Sequence, residues 1–178
     1  MSESQDTPAK SEGDLFPPDQ IELYTAYGIA AEAAQGLEVE AGNVALFFVA
    51  FWIGTDQIDD EKRELFAGLE HDVNQRTLGY MLRQIRRSIN FDETIIGIID
   101  EALEKRNYLT HHFFRIHNFA IFSEEGRQEM TKELKEILAA LSTARSYLSA
   151  LSLLLCKHAG IQEPEIEQLI ARGKRVRI

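Results

Sequence analysis

The feature that most restricts the fold is a long helical repeat of apolar residues in the last third of the chain. Apolar side chains recur there in alternating steps of four and three residues, at Met130, Leu134, Ile137, Leu141, Ala144, Leu148, Leu151 and Leu155. Such steps place the side chains along one side of an α-helix. Because a single amphipathic helix cannot bury its own apolar face, the chain must build a core around this segment.

The rest of the sequence also predicts helices. We expect a first long helix over about 19–53, a second helical region over 59–89 and a third helix over 92–119. The fourth opens at Ser123 or a neighbour and ends near Gly160. No segment has the alternating pattern and hairpin turns of β-strands. The predicted fold class is therefore all-α, as an up-and-down bundle of four long helices followed by a short C-terminal helix.

Three regions follow each other along the chain of 178 residues, a length that suits one domain. Residues 1–18 are polar and acidic, and we expect a disordered lead there. Residues 19–160 form the predicted bundle, and 161–178 hold the short helix and a basic tail.

Other features of the sequence predict a cytoplasmic protein. Cys156 is the single cysteine, so the chain has no intrachain disulfide. The first residues lack the basic and apolar regions of a signal peptide. The longest apolar run, 44–53, is too short to cross a bilayer, and no membrane association is expected.

An arginine interrupts the apolar face of the third predicted helix. The positions of that face are Ile95, Ile99, Ala102, Arg106, Leu109, Phe113, Ile116 and Ala120. An unpaired buried guanidinium costs several kcal/mol or more, so Arg106 needs a partner. It either pairs within the chain, with Glu38 or Glu40 at the edge of the first helix, or faces a cleft or an interface.

Two other polar residues lie near Arg106. Asn107 and His111 are one helical turn apart, so their side chains are within reach of each other. Arg106 and His111 are five positions apart, which is roughly 140° around a helix axis. One copy of the chain therefore does not place this arginine and this histidine side by side.

The segment Arg106-Asn107-Tyr108-Leu109-Thr110-His111 resembles the signature of the HEPN superfamily of helical ribonucleases. That signature is Arg, a polar residue that is often Asn, three variable residues and His. The resemblance extends locally through 112–114 and into 122–127, and in layout it covers roughly residues 20–160. It implies a metal-independent endoribonuclease without a cofactor, built as a homodimer whose paired motifs form one composite site.

The resemblance also assigns roles. His111 is the acid/base, Arg106 stabilises charge on the transition state, and Asn107 orients the histidine or the scissile phosphate. Weaker candidates for RNA binding are His112, Arg83, Arg87 and Arg115. The wide angle between Arg106 and His111 agrees with a two-fold axis that supplies both residues from both copies. A role as a toxin or as a stress or defence effector, with an antitoxin or another protein partner, is a further expectation.

Several observations keep other functions open. The net charge of −10 opposes broad nonspecific binding of nucleic acid, although the basic residues are clustered. A non-catalytic helical module that binds a protein, an RNA or a nucleotide fits the charge at least as well, and a plain dimeric bundle with a structural Arg106 is a third alternative. The spacing of His111, His112 and His117 does not suit a metal site, and His117 is expected to be a core histidine.

Overall fold

The computed structural model describes residues 16–53, 79–80, 82–83 and 91–158. These residues are mainly helical and include no β-strand, which confirms the all-α class. The elements are α1 (Pro18–Ile53), α2 (Glu93–His111), α3 (Phe113–Ile116), a 3-10 helix (Ala120–Phe122) and α4 (Glu124–His158). Most of the lead at 1–18, most of the second predicted helix at 59–89 and the whole of 161–178 lie outside the described residues.

The first and last long helices form close to the predicted positions. α4 begins after Ser123, whose hydroxyl accepts a hydrogen bond from the Gly126 amide at 3.1 Å and so caps the helix. The predicted apolar face is buried from Met130 to Leu148. Beyond Leu148 the buried residues are Ser152 and Cys156, whereas the predicted Leu151 and Leu155 are only partly buried. An α-helix has 3.6 residues per turn, so a seven-residue pattern drifts by about 20° per repeat around the axis.

α1 and α4 pack side by side and run in the same direction. Near their N-terminal ends Arg127 forms an ion pair with Asp19, and about two turns further on Lys135 contacts Glu22 at 3.1 Å. Further along, Arg145 lies against Gly36. The buried face of α1 is rich in alanine, and small side chains let two helix backbones approach closely. Its buried members are Leu23, Ala30, Ala33, Ala34, Leu37, Ala41 and Val44.

α2 runs antiparallel to α1. Arg106 contacts Glu38, whereas Phe114, after the end of α2, packs at a tilt against Tyr27 with 4.7 Å between ring centroids. The first and last long helices are thus parallel. This differs from the predicted alternation of four consecutive long helices, in which the first and the fourth are antiparallel.

The prediction of one helix over 92–119 is right at its start and wrong beyond His111. Asp92 caps α2, because its Oδ1 accepts the Thr94 amide at 2.8 Å. The chain then leaves the helix at His112, and α3 and the 3-10 helix follow. Phe113 still reaches the core, but Ile116 is 62% exposed, so it does not belong to the buried face. The helix ends at His111 because the chain must reverse its direction before it enters α4.

Gly126 allows this turn to pack closely against the start of α4. A Cβ atom on Gly126 would lie 2.2 Å from the carbonyl oxygen of Ala120, which real contacts do not allow. The Arg127 guanidinium donates to the Ile121 carbonyl at 3.0 Å and also pairs with Asp19. The turn is therefore held by both long helices.

By length and composition alone, α4 would suffice to cross a membrane. Its most apolar window has a mean hydropathy of 1.4, and 28% of that window is buried. Core helices of soluble proteins pass the same test, and α4 buries one face against α1 and α2. The cytoplasmic location stays a prediction.

Candidate functional site

Arg106 pairs with a residue that the sequence offered as its partner. Its Nε donates to Oε1 of Glu38 at 2.8 Å, and its Nη2 contacts the same oxygen. The two side chains are 23% and 34% exposed, so the pair lies at the edge of the core. The arginine is therefore neutralised by α1, and part of its guanidinium remains open to solvent.

Asn107 and His111 lie on the exposed surface of α2. Asn107 accepts a hydrogen bond from Nη1 of Arg106 at 3.1 Å, so these two motif residues are in contact. His111 is exposed in the last turn of the helix, close to the exposed His112. The centroids of the two imidazole rings are 6.3 Å apart. The structure thus joins Arg106 to Asn107 and places His111 a turn further on.

The weaker RNA-binding candidates are spread over the surface. His112 follows α2, with its amide bonded to the Tyr108 carbonyl at 2.9 Å, and Arg115 is exposed on α3. Arg83 is exposed and donates to the carbonyl of Gly79 at 3.1 Å. Arg87 lies outside the described residues. Of these, His112 and Arg115 share the end of the molecule at which His111 lies.

A second polar cluster connects the end of α2 to α4. Nε2 of His117 lies 2.6 Å from Oε2 of Glu133 and 3.3 Å from the hydroxyl of Tyr108. The imidazole also packs on Phe113, with 4.9 Å between ring centroids. His117 is half-buried, as expected of a core histidine, but its pairing with Glu133 was not predicted. Sixteen residues separate the two, so no local pattern indicates the contact.

We expect the Tyr108 hydroxyl to make stability fall at high pH. Burial, assisted by Glu133, raises the pKa of Tyr108 from 10.0 to about 12. Between these values the unfolded chain has released a proton that the folded chain keeps, so the free energy of unfolding decreases as pH rises. Urea unfolding at pH 9 to 12 should show a smaller fall in Tyr108→Phe, whereas Tyr147→Phe, at an exposed position of α4, should behave as the original protein. If the free energy of unfolding fell equally in the original protein and in both variants, this role for Tyr108 would be contradicted.

Two clefts lie away from the motif. One, of about 250 Å³, is lined by charged residues from the first turns of α1 and α4, including the paired Asp19 and Arg127. The hydrogen bond from Arg127 lowers the pKa of Asp19. The other, of about 310 Å³, lies between α2 and α4 around Ile98 and Thr143. Neither of these two clefts is lined by Arg106 or His111.

Among the residues that the structure describes, no three His, Cys, Asp or Glu side chains come together in an arrangement that would hold a metal ion. Cys156 is buried, and this burial raises the pKa of its thiol. Comparison of the chain with protein-family models, with curated proteins and with solved structures gave no match in any of the three.

Proposed function

We propose that this protein is a metal-independent endoribonuclease of the HEPN type, with a helical-bundle fold and a site completed by a second copy. One observation carries the proposal most directly: Arg106 is fixed by Glu38 and Asn107, and His111 stands exposed on the same rigid helix. A surface with a fixed cation and an accessible imidazole suits cleavage of a phosphodiester.

The chemistry uses one imidazole from each copy. His111 of one copy takes the proton from a ribose 2'-hydroxyl, and the 2'-oxygen forms a bond to phosphorus. The bond from phosphorus to the 5'-oxygen breaks, and the partner's His111 donates a proton to that oxygen. The products are a 2',3'-cyclic phosphate and a 5'-hydroxyl end. Arg106 stabilises the charge that grows on the non-bridging oxygens, and Asn107 holds the guanidinium in place.

The pairing of Arg106 with Glu38 favours a second candidate. A carboxylate that takes two guanidinium nitrogens neutralises much of the charge needed at a phosphate. A non-catalytic helical module would use the same pair to fasten α2 to α1, and its exposed surface would bind a protein, an RNA or a nucleotide.

For the enzyme we propose a role as a toxin or as a stress or defence effector, with an antitoxin or another protein as partner.

The test is cleavage of single-stranded RNA by the purified protein in EDTA. We expect products with 2',3'-cyclic phosphate ends, and no cleavage where the 2'-hydroxyl next to the phosphate is replaced by hydrogen. Arg106→Met should lose cleavage by at least about 100-fold. Its stability should fall by only about 1 kcal/mol, because the pair with Glu38 is partly solvated.

The matched control is Lys135→Met, which removes a cation and an ion pair on α4 without touching the motif. It should cleave like the original protein. Cleavage that stops in EDTA, or that survives in Arg106→Met, would reject the proposed mechanism. Binding of RNA without any cleavage would instead support the non-catalytic module.

A further inference from the structure

Large apolar side chains are exposed at one end of the molecule. Phe119 and Phe122 are each 81% exposed and Ile116 is 62% exposed, all in the turn between α2 and α4. Phe16 and Tyr24, at the start of α1, are also exposed and pack edge to face with 6.0 Å between ring centroids. We call these five residues the aromatic end. His111 and His112 lie at the same end of the bundle.

The backbone that carries this surface is firmly held. The amide of Phe122 bonds to the Phe119 carbonyl at 3.2 Å, and that of Ser123 bonds to the Ala120 carbonyl at 3.2 Å. Arg127 and Gly126 fix the turn to α4 and to α1. A turn with this many restraints presents its phenylalanines in a fixed position. Clustered exposed aromatic residues on a rigid surface are typical of a protein interface.

The size of the aromatic end fits an interface between two proteins. A large apolar side chain offers about 200 Å² when fully exposed, so the five exposed fractions correspond to roughly 600 Å². Two such surfaces in contact would bury about 1,200 Å² in total, which is the lower limit for a specific stable interface. The polar residues around them would add to this area.

The charges around the aromatic end indicate the partner. With a net charge of −10, the protein would be repelled by an anionic membrane. Along the chain, the exposed Arg115 lies near the start of the turn, on α3, and the exposed Glu124 and Glu125 follow the turn as the first residues of α4. A surface with a basic and an acidic flank is self-complementary, because a two-fold axis brings the basic flank of one copy to the acidic flank of the other.

We propose that the aromatic end is the surface through which two copies of this chain associate, with Phe119 and Phe122 at its centre. The inference deepens the proposed function and rests on it for the two-fold assembly. Since His111 lies at the same end, this association brings the two exposed histidines towards each other.

The first test measures assembly of the full chain by analytical ultracentrifugation. We expect a dimer at micromolar concentration and at least a 100-fold higher dissociation constant for Phe119→Ser combined with Phe122→Ser. Leu153→Ser combined with Leu154→Ser is the control, because these exposed leucines lie towards the far end of α4. A monomer in the original protein would overturn the inference. So would a dimer that persists when both Phe119 and Phe122 are replaced by serine.

The second test uses charge and leaves the phenylalanines in place. Arg115→Glu alone should weaken the dimer, and so should Glu124→Arg combined with Glu125→Arg, since each places like charges together. An equimolar mixture of the two variants should associate as tightly as the original protein, because both contacts across the axis are then attractive. Failure of the mixture to associate more tightly than either variant would refute this two-fold arrangement.

The two proposals fail separately. A dimer that depends on Phe119 and Phe122 but does not cleave RNA would support the interface and reject the ribonuclease. RNA cleavage by a dimer that does not depend on Phe119 and Phe122 would support the ribonuclease and reject the interface.

Discussion

Replacing His111 with alanine is expected to lower the rate of RNA cleavage by about 10² to 10⁴, the usual range for the loss of general acid/base catalysis. The side chain is exposed on α2, so its removal should leave the fold intact. Single-turnover cleavage of one RNA, measured with saturating protein, separates this loss in the chemical step from a change in binding. An unchanged melting temperature would show that the loss is not caused by unfolding.

His112 provides the matched control for this experiment. It is the same residue type, is also exposed, and lies next in the chain, but it is outside α2. We expect His112→Ala to cost less than about tenfold, as befits a residue that contacts RNA without transferring a proton. Equal losses in the two variants would mean that the assignment of the acid/base to His111 is wrong.

Replacing Gly126 with alanine is expected to destabilise the protein by about 2 to 3 kcal/mol, the scale for forcing an extra methyl group into a packed site. The new Cβ would meet three backbone atoms of Ala120, the nearest at 2.2 Å, so the turn has to move as a unit. For a chain of this length the melting temperature should fall by about 4 to 12 °C. Thermal unfolding followed by circular dichroism measures this change.

Replacing Gly28 or Gly97 with alanine is expected to have the opposite effect on stability. Both are inside helices, and no atom beyond the neighbouring residues and the local helix backbone lies within 4 Å of where a Cβ would stand. Alanine at either position should stabilise the protein by up to about 1 kcal/mol, since glycine has more conformational freedom to lose. If Gly126→Ala were as stable as these controls, the close contact between the turn and α4 would not exist in solution.

Helical periodicity explains why much of the fold was predictable. The apolar spacing within α4 depends on neighbouring residues, and it located that helix almost to the residue. The first helix, predicted over 19–53, was also located to within a residue. The same reasoning placed Arg106 on a buried face and narrowed its partner within the chain to Glu38 or Glu40. The structure selects Glu38.

Other features depend on contacts between distant residues and carry no local signal. The break at His112 contains neither glycine nor proline, and it forms because the chain must turn back towards α4. The contact of His117 with Glu133 follows from how α4 docks after that turn. The sequence indicated the motif residues, whose roles stay predictions, whereas the exposure of Phe119 and Phe122 required the structure.

The pairing of α1 with α4 has a consequence for synthesis on the ribosome. The ion pair between Asp19 and Arg127 joins residues 108 positions apart. At about 5 to 20 residues per second, α1 leaves the ribosome several seconds before α4 exists. During this interval the face that carries Leu23, Leu37 and Val44 lacks its main partner and is prone to aggregation.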